Sequence, residues 1–100
     1  MATTTKVLAR TAAATSSATL YTTPSATTTI VTNIAITNTA SAAATYTLAL
    51  GGVAFATTSA IAPNDTIVID AKQVLVATNT ITGLASATSV NFHICGVEIA

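Results

Sequence analysis

The chain has 100 residues, 51% of them hydrophobic and only 6% charged, and its three basic residues balance three acidic ones. That length holds one core. The cations Lys6, Arg10 and Lys72 are too few and too scattered to neutralise a phosphate backbone, so no nucleic-acid partner is expected. Thr, Ser or Asn breaks every apolar run well short of the roughly 20 residues a spanning helix needs, so no membrane partner is expected either.

Residues 1–17 open the chain. Lys6-Val7-Leu8-Ala9-Arg10 reads as a strand, but Thr11 to Ser17 is small and polar, with nothing to anchor it to a core. The segment reads as an extended N-terminal arm that reaches a neighbouring subunit, leaving residues 18–100 as the folded domain. No apolar segment follows Arg10, so no secretion signal is read and a cytoplasmic origin is expected.

Ala18 to Thr22, with Leu20, makes a short strand that ends at Thr23-Pro24-Ser25. From Ala26 to Thr39, Ile30, Ile34 and Ile36 share one parity while Asn33, Thr37 and Thr39 share the other. That is the alternation of a half-buried strand. Thr45 to Leu50 repeats it, with Tyr46, Leu48 and Leu50 inward and Thr45 and Thr47 outward. Gly51-Gly52 accepts the positive φ of a tight hairpin turn, and Val53 to Ala56 returns as the partner strand.

Ala62-Pro63-Asn64-Asp65 is a turn, because Pro fixes φ and Asn and Asp bond to the nearby backbone. Thr66 to Asp70 follows as a strand with Ile67 and Ile69 on one face. Val74 to Val76 and Thr80 to Leu84 are shorter strands around Asn79 and Gly83. In the last strand, Thr88 to Ile99, Val90, Phe92 and Ile94 share a face. After Gly96 the apolar parity moves to Val97 and Ile99, the sequence signature of a β-bulge. Seven to eight short strands separated by turn signals imply an all-β fold, an antiparallel β-sandwich. Its expected core is Ile34, Ile36, Tyr46, Leu48, Ile67, Ile69, Val90, Phe92 and Ile94.

Chemistry has few places to sit. His93 and Cys95 are two apart on one strand and so share a face. Zinc takes about four ligands, and the chain has no other His or Cys to complete a set. Cys95 alone forms no intrachain disulfide. No serine lies in a nucleophile-elbow pattern. Asp65 is a turn residue, Asp70 has no paired acid, and Glu98 reads as a solvated charge near the terminus. Gly51-Gly52 lacks the Lys and helix of a phosphate loop. Asn64-Asp65-Thr66 matches a glycosylation sequon without a secretion route. No catalytic, cofactor-binding or metal-binding residue is assigned, no cofactor is implied, and no enzyme activity is expected.

Leu20-Tyr21-Thr22-Thr23-Pro24-Ser25-Ala26-Thr27-Thr28-Thr29-Ile30-Val31-Thr32-Asn33-Ile34 resembles the LYTVPAGTTAIVTNI opening of small virion proteins of tailed bacteriophages. Asn38-Thr39, followed by Ala44-Thr45-Tyr46-Thr47-Leu48-Ala49-Leu50-Gly51-Gly52, is similar to the NTT…AATFTLALGG segment of that group. Val90-Asn91-Phe92-His93-Ile94-Cys95-Gly96-Val97-Glu98-Ile99 resembles its VNFHISGVEI close, with Cys95 where Ser is usual. The likeness spans Leu20 to Ile99. It implies a structural virion protein of the minor tail or decoration kind; a minor tail or tail-tip component is the expected location, with capsid decoration as the alternative. Because the shared motifs are structural, no catalytic residue comes with them.

Composition points the same way. Thr and Asn faces cost less to desolvate than Lys or Glu faces, which suits a permanent interface. Near-zero net charge removes the repulsion that keeps monomers apart. The partners expected are other virion proteins and further copies of the chain, a trimer being favoured. The rival reading is a sugar-binding sandwich, which needs an exposed aromatic platform. The chain has no Trp, and its four aromatics are Tyr21, Tyr46, Phe55 and Phe92.

Overall fold

Thr, Ile and Val dominate the chain, and their branched Cβ atoms suit a pleated sheet better than a helix. The computed structural model describes residues 2–70 and 72–100, and they contain strands and turns but no helix. Nine strands form: β1 (Thr3–Ala12), β2 (Ala18–Thr22), β3 (Thr28–Asn38), β4 (Ala44–Leu50), β5 (Val53–Ile61), β6 (Thr66–Ile69), β7 (Gln73–Leu75), β8 (Thr80–Ala85) and β9 (Val90–Ile99). They build the expected antiparallel sandwich. One sheet runs β1-β9-β3-β6, with β7 also paired to β3, and the other runs β2-β8-β4-β5. Counting β6 and β7 as one interrupted strand, the chain winds between the sheets with the connectivity of a jelly roll.

The core lies between the sheets. Ile34, Ile36, Tyr46, Leu48, Val90, Phe92 and Ile94 are buried, while Ile67 and Ile69 are half-buried at its margin. Leu8, Val31, Ile61, Leu75 and Ile81 complete the packing. Phe92 is the largest fully buried side chain, so truncation to Ala should cost about 3–5 kcal/mol in a denaturation titration. Gly51 and Gly52 take φ +60° and +80° and close the β4–β5 hairpin, as that dipeptide requires.

Asn38 holds the opposite end together. Its Nδ2 donates to the Ala42 carbonyl at 2.8 Å and to the Ala62 carbonyl at 3.3 Å. Its Oδ1 accepts from the Ala40 N–H and the Ser89 hydroxyl, both at 3.1 Å. One fully buried amide thereby ties together three connections with every hydrogen-bonding position used.

Three expectations need correction. The first is the arm over residues 1–17. Thr3–Ala12 is instead strand β1, paired with β9 from Thr3↔Ile99 to Ala12↔Asn91. Leu8, Ala9 and Ala13 are buried in the chain's own core. Adjacent Leu8 and Ala9 are both buried because Leu8 is the extra residue of a bulge.

The second concerns Ile30, which does not share the inward face of Ile34 and Ile36. The β3 register slips between Val31 and Asn33, with Thr32 as the extra residue. Thr29 and Val31 therefore point inward and Ile30 outward.

The third is the parity shift at Gly96. The bulges lie in the neighbours β1 and β3, and β9 keeps its alternation, so Gly96 continues the inward row of Val90, Phe92 and Ile94. A Cβ on Gly96 would collide with the Ile30 carbonyl oxygen and stand 2.8 Å from Leu8 Cδ1. Glycine is needed there because both bulged strands press onto it.

Candidate interaction surfaces

Unbroken alternation along β9 decides where each chemically able side chain points. His93 and Cys95 face outward on the β1-β9-β3-β6 sheet, half-buried by neighbours. His93 stands between Arg10 on β1 and Ala35 on β3, and Cys95 between Val7 and Asn33. Beside Cys95 the two bulges leave a shallow groove of about 410 Å³, with Val7, Thr32, Gly96 and Val97 in its lining. No three His, Cys, Asp or Glu side chains come together among the described residues. Asp65 and Asp70 flank β6, separated from β9 by the whole of β3.

Glu98 is not the solvated charge that its place near the terminus suggests. It shares the inward parity of Phe92 and Ile94, and its side chain is 15% exposed. The Tyr21 hydroxyl, from β2 of the facing sheet, donates to Glu98 Oε2 and shares a 2.9 Å hydrogen bond with Thr29 Oγ1. Lys6 Nζ on β1 completes the cluster at 3.3 Å from Glu98. The hydrogen bond from Tyr21 and the charge of Lys6 hold the Glu98 carboxyl below its usual range. Burial and the bond to Glu98 push the Tyr21 phenol up. The cluster joins both sheets at one end of the sandwich. Through it the Glu98 carboxylate ties β9 to β2 of the facing sheet and to β1 beside it.

Charge is segregated between the sheets. β2, β4, β5 and β8 contain no charged residue. Their outer face presents Thr45, Thr47, Thr80, Thr82, Ala49 and Leu84, all half-buried. Every charged side chain belongs to the other sheet or its connections. That sheet also exposes valines along its two edges: Val7 on β1 at 43%, Val68 on β6 at 65% and Val74 on β7 at 62%. Tyr21, Tyr46 and Phe92 are buried and Phe55 is half-buried, so none of the four aromatics forms an exposed platform. Comparisons with family models, with characterised proteins and with solved structures find no match.

Proposed function

We propose that the chain is a non-enzymatic structural subunit of a tailed-bacteriophage particle. In this reading it is a minor tail or tail-tip component that packs against other virion proteins and against further copies of itself, in a ring of three. One observation carries it: the side chains able to do chemistry are isolated or locked in a clamp, while broad uncharged strand faces and open sheet edges are left outward. A protein with such surfaces works by being covered. The resemblance of the Leu20–Ile34, Ala44–Gly52 and Val90–Ile99 segments to phage virion proteins supplies the particle.

Capsid decoration is the second reading. Jelly rolls recur among capsid proteins, and a head surface needs the same inert module; this support is analogy of fold. Lectins use the fold too, but the inward aromatics weigh against sugar binding here. Gold-labelled antibody against the chain, applied to purified particles in the electron microscope, tests the location. Label on the tail is the expected result, label over the head favours decoration, and unlabelled particles with intact epitopes contradict both.

A further inference from the structure

We draw no further inference here: the strongest candidate, the shallow groove on the outer face of the β1-β9-β3-β6 sheet where Cys95 lies among Val7, Thr32 and Val97, joins a lone thiol to an unpartnered apolar face, and nothing in the structure shows what covers it.

Discussion

Glu98 occupies a position where sequence and fold disagree, and its behaviour with pH follows from the fold. Its carboxyl titrates below the usual carboxylate range because Tyr21 donates to it and Lys6 stands beside it. A depressed folded pKa means the clamp contributes stability above the unfolded carboxyl's pKa and loses it as pH falls through the folded value. Tyr21 is shifted the opposite way, so its contribution is complete below the ordinary phenol pKa and is lost as pH rises through the raised one. Denaturant midpoints measured across pH should form a plateau between those limits. Glu98→Gln should flatten the acid side, and a variant whose acid limb matches the wild type would show that Glu98 is solvated after all. Gly96 is a second such residue. Alanine there must displace the Ile30 carbonyl, and Gly96→Ala should lose about 2–3 kcal/mol, read from the same titrations.

At the scale of the element, the strands with regular alternation are legible in the sequence. Thr45–Leu50, Thr66–Ile69 and Val90–Ile94 needed only period-two patterning and the turn chemistry of Gly51-Gly52 and Pro63-Asn64-Asp65. The outward placement of His93 and Cys95 was legible for the same reason. What could not be read locally were the bulges, because a bulge is a relation between two strands. Leu8 and Thr32 each add one residue opposite β9, and nothing in their own neighbourhood says so. The Thr32 insertion turns Ile30 outward against its parity with Ile34 and Ile36, and the Leu8 insertion buries Leu8 and Ala9 together. The correction to β1 can be measured. Leu8→Ala should cost about 2–4 kcal/mol as a core truncation, whereas an arm residue would change stability by less than about 0.5 kcal/mol.

Over the whole molecule, 45 × 21 × 17 Å in extent, the proposed function draws on faces and edges rather than on a pocket. One sheet is uncharged and rich in Thr; every charged side chain belongs to the other sheet or its connections, and that sheet carries exposed valines along both edges. A module of that kind gains its meaning from copy number and neighbours, which makes counting the most direct test of its place in a particle. Quantitative mass spectrometry of purified particles should find a few to a few tens of copies per particle for a tail or tail-tip part. Hundreds of copies would move the protein to the head as a decoration. Its absence from the particles would contradict the virion account.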